Sequence, residues 1–291
     1  MEKIWTIIEL LRWTTDYFAQ KHITMARLDA ELLLAHTLGI ERTRLYLDFD
    51  RPVGKEELFR FRQLIQRRAM REPVAYILGC KEFWSLRFKV ISQTLIPRPE
   101  TEILVETAVN LWREKSCENP PLILDIGAGS GIIAVSLAKE IKNAQIIATD
   151  ISPKALEVAR ENAQSNGVAD QISWHCADLF NGLESYRGRI DLLVSNPPYI
   201  RDDELPGLQP EVRDYEPHSA LLGGKDGLDI IRRIINDAGN WLKSGGCLCL
   251  EIGAGQGAAV CELLEATRIF SPIRIVKDYA RLNRVVWGQR I

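Results

Sequence analysis

Several things are missing from this chain, and each absence removes a class of explanation. No uninterrupted apolar run approaches the roughly 20 residues that a membrane helix needs, so a membrane protein is not expected. The opening stretch, MEKIWTIIELLRWTTDYF, is broken by Glu2, Glu9 and Asp16, and it fits neither a secretory signal nor a transit peptide. A cytoplasmic location is the expectation. The six cysteines (Cys80, Cys117, Cys176, Cys247, Cys249 and Cys261) form no CxxC pair, and His22, His36, His175 and His218 show no ligand spacing. Reduced, buried cysteines and structural histidines are expected, with no metal. Net charge is only −2, so no global positive field recruits nucleic acid. Internal repeats and low-complexity stretches are absent as well. What remains is an ordinary globular composition, 46% hydrophobic and 26% charged, in 291 residues, enough for a large domain and a smaller one.

The apolar pattern changes twice along the chain. Residues 1–78 carry helical periodicity: Ile4, Ile7, Ile8 and Leu11, then ARLDAELLLAHTLG stopping at Gly39, then KEELFRFRQLIQRRAMRE before Pro73. A small helical bundle is expected there. Residues 79–98 are aromatic and β-branched with a turn candidate at Trp84-Ser85-Leu86, which suggests a linking β-hairpin. Over residues 99–291 a helix after Pro99 leads into alternation. The strand candidates are LILDIG, AQIIATD, ISWHCADLF, RIDLLVSNPPY, GCLCLEIG, PIRIVKDY and NRVVWGQ, with helical segments between most of them. That alternation implies an α/β fold with a mostly parallel sheet of Rossmann-like form. No helix separates the last two candidates, which points to an antiparallel strand at one edge.

Chemistry concentrates where strands end. Asp125-Ile126-Gly127-Ala128-Gly129-Ser130-Gly131 follows an apolar strand and opens a helix. Glycines at such a turn let backbone approach a ligand closely. A dinucleotide site would want a third glycine at position 132, where Ile132 stands, so a dehydrogenase is disfavoured and the pattern has the methyltransferase form. Asp150, at the tip of AQIIATD, can accept hydrogen bonds from both hydroxyls of a ribose; it can also cap the helix that follows Ser152 and Pro153. Asp178, with Leu179 beside it, falls where an adenine would lie, or else is a solvated loop acid.

Asn196-Pro197-Pro198-Tyr199, directly after DLLVS, carries the most information. Two prolines cannot extend a central strand, and they fix the backbone. Asn offers an acceptor and two donors, and Tyr a flat apolar face with a polar tip. A planar NH2 group requires two acceptors for its hydrogens and a surface for its plane. Asn196 Oδ1 and the Pro197 carbonyl supply the first, and Tyr199 the second. No strong base is needed, because the leaving group of a sulfonium methyl donor is a neutral thioether.

Taken together these residues resemble the glutamine methyltransferases of peptide-chain release factors, the HemK/PrmC family. The resemblance covers nearly the whole chain: ARLDAELLLAHTLG at 26–39, REPVAYILG at 71–79, EFW at 82–84, LIPRPETE at 95–102, DIGAGSG, SNPPYI, YEPHSAL and EIGAGQG at 251–257. It implies an N-terminal substrate-recognition domain, a hairpin linker and a methyltransferase domain using S-adenosyl-L-methionine. It implies a class-1 release factor as protein partner, methylated on the side-chain amide of the Gln in its Gly-Gly-Gln motif. By position, Gly127, Ala128, Gly129, Ser130, Gly131, Asp150, Asp178, Leu179 and Asn196 would bind the cofactor. Asn196, Pro197, Pro198 and Tyr199 would hold the glutamine, with Asn196, Pro197 and Tyr199 carrying catalysis. Some relatives carry Trp where Leu179 stands. Arg98 and Glu100 would border the site or pair at the domain junction. Arg60, Arg62, Arg67 and Arg68 would face the partner or form a solvated helix face, since Glu56, Glu57 and Glu72 flank them.

Two rivals remain in view. A methyltransferase acting on the exocyclic amine of adenine in DNA or RNA would use the same Asn-Pro-Pro-Tyr logic. It should carry a basic groove, against which the net charge counts; direct nucleic-acid binding is not expected. An inert methyltransferase-like subunit should show broken motifs, and both are intact.

Overall fold

The computed structural model describes residues 4–115 and 119–291. Glu2 and Cys117 lie outside the described residues. Two compact units emerge, one formed by residues 1–79 with 209–215 and the other by residues 80–208 with 216–291.

The first unit is helical. It contains α1 (Ile7–Gln20), α2 (Ala26–Leu38), α3 (Arg44–Leu47), α4 (Lys55–Ala69) and α5 (Val74–Leu78). Thr6 starts α1 with a capping box closed by Glu9, and Gly39 ends α2 in the left-handed region. Ile7, Leu11, Phe18, Leu33, Leu34, Leu45 and Phe61 form its dry core. The arginine run does not behave as one face. Arg60 and Arg62 are exposed, but Arg67 pairs with Glu72. Arg68 is 5% exposed and bridges Asp29 at 2.7 Å and Glu211 at 2.7 Å. Arg71 also reaches Glu211, at 2.6 Å, and the Tyr215 hydroxyl donates to the Met70 carbonyl. The 209–215 segment thus closes over the buried arginine of its own unit, an excursion that nothing in the hydrophobic periodicity marks.

The second unit begins with the hairpin β1 (Cys80–Phe83) and β2 (Leu86–Lys89). Trp84 and Ser85 both have positive φ, the geometry of a tight two-residue hairpin turn. Trp84 is held there by its N–H on Glu102 and its indole on Glu140. The hairpin covers only part of the 79–98 segment, and its Phe83 and Phe88 are buried in the core of this unit. Then follow α6 (Glu102–Glu114), β3 (Leu122–Ile126), α7 (Ile132–Glu140), β4 (Gln145–Asp150), α8 (Pro153–Ser165), β5 (Ile172–Cys176) and β6 (Ile190–Ser195). After the short α9 (Pro210–Arg213) of the helical unit come α10 (Asp229–Trp241), β7 (Leu242–Glu251), α11 (Gly257–Thr267), β8 (Phe270–Lys277) and β9 (Asn283–Arg290).

The seven strands lie in the order β5-β4-β3-β6-β7-β9-β8. All neighbours from β5 to β7 pair parallel, and β9 pairs antiparallel with both β7 and β8. β3 and β6 are apolar and almost wholly buried because both faces of the sheet are covered by helices, which builds one core cluster on each face. Among the described cysteines, all free, Cys247 and Cys249 are buried on β7. The expectation of buried thiols fails for Cys176, which is exposed, and for Cys80 and Cys261, which are half-buried. No helix among the described residues is long and apolar enough to cross a membrane.

Candidate active site

Strand order reverses direction at β3, whose neighbours β4 and β6 lead the chain away to opposite sides. In such sheets the crevice beyond the carboxyl ends at the reversal is where ligands bind. A pocket opens there, with about 850 Å3 of space when its mouth is counted. Gly127 and Gly129 line it after β3, Asp150 and Ile151 after β4, Asp178 and Leu179 after β5, and Asn196, Pro197 and Pro198 after β6. Two further walls come from residues 93–95 and from Pro217, Ser219 and Ala220.

The glycine turn is fastened to β4. Gly127 and Ala128 both donate their N–H to the Thr149 carbonyl, at 2.8 and 2.9 Å, and Gly129 donates to Asp150 Oδ2 at 2.8 Å. A Cβ at Gly127 or Gly129 would meet nothing within 4 Å, so their missing side chains leave room on the pocket side. Gly131 is small for another reason. A Cβ there would sit 3.0 Å from Trp174 and 3.1 Å from the Ala159 side chain. Ala128 and Ser130 are each 3% exposed and, with Gly131, form the floor of the turn rather than the pocket lining.

Asp150 ties two loops together, since its Oδ1 accepts from Ser152 N at 2.8 Å while Oδ2 holds Gly129. Ser152, not Asp150, caps α8 through Ala155 N. Burial raises the pKa of Asp150 against those two backbone donors. Asp125 lies behind the turn, fully buried, with Oδ2 accepting from Ala134 N and Oδ1 without a hydrogen-bond partner among the described residues. Burial pushes its carboxyl up to about 7. Asp178 is half solvated and pairs with Arg233 at 2.7 Å, while Leu179 adopts a left-handed φ of 52° that turns its side chain to the pocket.

The Asn196–Tyr199 turn is held from behind. Asn196 Nδ2 donates to Thr101 Oγ1 at 3.2 Å, and among the described residues its Oδ1 accepts no hydrogen bond. The Tyr199 hydroxyl donates to Glu251 Oε1 at 3.4 Å, and Tyr199 is not part of the pocket lining. Burial, then the Glu251 carboxyl, pushes the Tyr199 hydroxyl up to about 12. Gln256 Nε2 donates to the Tyr199 carbonyl at 3.0 Å and to the Gly227 carbonyl at 3.2 Å. Arg98 does not reach the pocket; it pairs with Glu216, which also accepts from Ile96 N. Glu100 is exposed.

The likeness to known proteins is specific. Residues 9–79 match the PrmC N-terminal domain and residues 101–206 the methyltransferase small domain. A release factor glutamine methyltransferase of Geobacter sulfurreducens is 44% identical over 287 residues, covering 99% of this chain and 98% of that one. The one of Chlorobaculum tepidum is 42% identical, covering 97% of each. The chain belongs to the release factor glutamine methyltransferase family. This methyltransferase uses S-adenosyl-L-methionine. Its fold is that of class I methyltransferases. A methyltransferase from Pyrococcus furiosus aligns with a TM-score of 0.51 at 17% identity, over 77% of this chain and 96% of that one. A T. thermophilus 16S rRNA methyltransferase in complex with AdoMet and guanosine also gives 0.51, at 18% identity over 73% of this chain and 50% of that one.

The pocket fits such a cofactor on its own terms. It offers open backbone at two glycines, a carboxylate at the β4 tip and apolar walls from Ile151, Leu179 and Pro198. The contributions of Thr101, Glu251, Gln256 and Glu216 were not singled out in the sequence. Glu251 had a usable signal: like Asp125 and Asp150, it is an acid at the carboxyl end of an apolar strand.

Proposed function

We propose that this enzyme transfers the methyl group of S-adenosyl-L-methionine to the side-chain amide nitrogen of the glutamine in the Gly-Gly-Gln motif of class-1 peptide-chain release factors. The observation that carries this is the amide of Asn196, a pocket-lining residue whose Nδ2 donates to Thr101, so that Oδ1 remains as an acceptor for the substrate. An acceptor at that spot, with the Pro197 carbonyl, suits the two hydrogens of a planar NH2 group. Pro198 and Tyr199 complete the glutamine seat, and Asn196, Pro197 and Tyr199 carry catalysis. Gly127, Ala128, Gly129, Ser130, Gly131, Asp150, Asp178, Leu179 and Asn196 hold the cofactor, with Ala128, Ser130 and Gly131 acting through the shape of the turn.

The cofactor supplies an electrophilic methyl on a sulfonium. The protein's part is to bring the amide nitrogen into line and keep its lone pair free, so positioning supplies most of the acceleration. As the nitrogen–carbon bond forms and the sulfur–carbon bond breaks, one amide proton is released to water. Residues 1–78 recognise the protein substrate in this reading, residues 79–98 link, and residues 99–291 perform the transfer. A cavity in the helical unit with about 910 Å3 of space when its mouth is counted, lined by Trp5, Trp13, Tyr17, Phe61 and Arg62, supports a protein-binding role. The reaction belongs to the cytoplasm, where release factors work, without direct contact to nucleic acid.

The test uses methyl-labelled cofactor with a bacterial class-1 release factor, wild type and with the motif Gln changed to Ala. Label in the first and none in the second is expected. Asn196→Ala should reduce transfer by roughly 100-fold or more. Label entering added DNA or RNA instead would replace this reading with the adenine-amine one.

A further inference from the structure

One side-chain amide ties down the far end of the Asn196–Tyr199 turn. Gln256, in the EIGAGQG stretch, is half-buried and stands just before α11. Its Nε2 donates to the Tyr199 carbonyl at 3.0 Å and to the Gly227 carbonyl at 3.2 Å, and its Oε1 accepts from Gly253 N at 2.9 Å. The partners fix which end of the amide is which, because a carbonyl only accepts and a backbone N–H only donates. Both Nε2 hydrogens are therefore committed, and three backbone segments meet at one side chain. Two of them crowd against it. A Cβ at Gly227, where φ is +75°, would lie 2.3 Å from the Tyr199 carbonyl oxygen and 2.7 Å from Gln256 Nε2. A Cβ at Gly253 would lie 3.1 Å from Gln256 Oε1 and 3.5 Å from the Tyr199 ring.

The near end of the turn is anchored already. It leaves β6 where Ser195 Oγ donates to the Ile126 carbonyl at 2.7 Å, and Asn196 is held by Thr101. The Pro197 and Pro198 rings fix φ at both middle residues. The turn is thus stiff along its length, and the Pro197 carbonyl shifts mainly when the far end moves. Two contacts hold that end. The Tyr199 hydroxyl reaches Glu251 at 3.4 Å, a longer bond at the tip of a side chain. Gln256 grips the backbone itself. Gln256 is not part of the pocket lining, so its influence on the reaction passes through the turn.

We propose that Gln256 is a positioning residue for methyl transfer: by fastening the Tyr199 carbonyl to Gly227 and Gly253, it sets where the Pro197 carbonyl stands to receive a hydrogen of the substrate amide. The proposal rests on the reading of Asn196–Tyr199 as the glutamine seat. The role needs a side chain that gives two hydrogens and accepts one, which an uncharged amide does. A carboxylate of the same shape would press an oxygen against two carbonyl oxygens with no hydrogen between them. Without the amide the far end of the turn drifts, and a misplacement near 1 Å costs about 100-fold in rate. The glycine turn and Asp150 are joined by bonds of their own, so the cofactor's side of the pocket does not depend on Gln256.

The experiment measures the single-turnover rate of methyl transfer to a release factor, with both substrates saturating, for the wild type, Gln256→Glu and Gln256→Met. KM for the release factor, cofactor affinity by calorimetry and melting temperature are recorded for each, and all rates are taken well below the lowest melting temperature. Gln256→Met keeps the volume and removes the bonds; its rate should fall roughly tenfold, with KM and cofactor affinity within about threefold of wild type. Gln256→Glu at pH 8.5 should be slower still. Protonation lets the introduced carboxyl donate to one of the two carbonyls, so the ratio of variant to wild-type rate should rise as pH falls toward 5.5. A residue that served stability alone would move the melting temperature and leave these rates in place. If Gln256→Met transfers within twofold of wild type, or its whole loss lies in KM or cofactor affinity, the proposal is overturned. A Gln256→Glu ratio that stays flat with pH overturns it as well. Should Gln256→Glu not fold, Gln256→Met decides. Full turnover by Asn196→Ala would instead sink the reading of the glutamine seat.

Discussion

Adding a single methyl group at Gly223 should slow catalysis without touching substrate or cofactor. A Cβ there would lie 2.6 Å from the Pro198 carbonyl oxygen and 2.6 Å from that of Gly227. Relieving that contact requires a displacement of roughly 0.5 Å or more, and both obstacles are backbone. The segment has little freedom to yield. Gly223 N–H donates to the Ile200 carbonyl at 2.8 Å, its own carbonyl accepts from Asp229 N at 2.9 Å, and Ile200 N–H donates to Leu221 at 2.9 Å. The Pro198–Tyr199 backbone must therefore move, and with it the Pro197 and Asn196 acceptors. Misplacement approaching 1 Å can cost about 100-fold, so Gly223→Ala should lower kcat roughly 10- to 100-fold. Overpacking should also lower stability by about 1–3 kcal/mol. The assay is single-turnover transfer of labelled methyl to the release factor, with cofactor binding measured by calorimetry. Gly255→Ala is the control, since a Cβ there meets nothing within 4 Å. If Gly223→Ala turns over within twofold of wild type, the moulding of this turn by its glycine neighbours is not what sets its catalytic geometry.

Arg68→Ala should destabilise the helical unit by about 3–5 kcal/mol, because Asp29 and Glu211 would lose the cation between them inside the protein. Chemical denaturation checks this, and Arg68→Lys should rescue only in part, since a point charge cannot fork between two carboxylates. Asp125 gives a pH signature. Its folded pKa of about 7 lies above the unfolded value of 3.8, so between those values the folded state binds a proton that the unfolded state lacks. This group therefore makes the fold more stable as pH falls from 8 toward 5. Asp125→Asn should remove that contribution, and parallel melting curves for the two proteins over this range would count against it.

How far this was legible in the sequence depends on the range of each signal. The strands of the sheet announce themselves as apolar runs because they are buried on both faces, and Gly39 and Pro73 mark helix ends locally. The short α3 and α5 are too brief to show a period. The 209–215 excursion was invisible because its reason is an ion pair, Arg68 with Glu211, formed by residues far apart in the chain. Asp150 and Asn196 to Pro198 stand out in the sequence because the sheet collects the carboxyl ends of its strands at one crevice. The 93–95 wall and the wall of Pro217, Ser219 and Ala220 carry no period and no chemistry that stands out alone. A motif does not say which of its members turn inward: Gly127 and Gly129 line the pocket, while Ala128 and Ser130 are buried.

The reversed strand β9 has a consequence for the order in which the molecule can assemble. It follows β8 in the chain yet lies between β8 and β7, so β8 has no place in the sheet until β9 has paired. Until then β7 presents a bare edge, the kind of surface on which chains aggregate. Glu251 sits on that edge, opposite Val285, and Arg284 arrives only with β9. A nascent enzyme therefore gains Arg284, whose charge favours the ionised form of its buried glutamate, in the same event that seals its sheet.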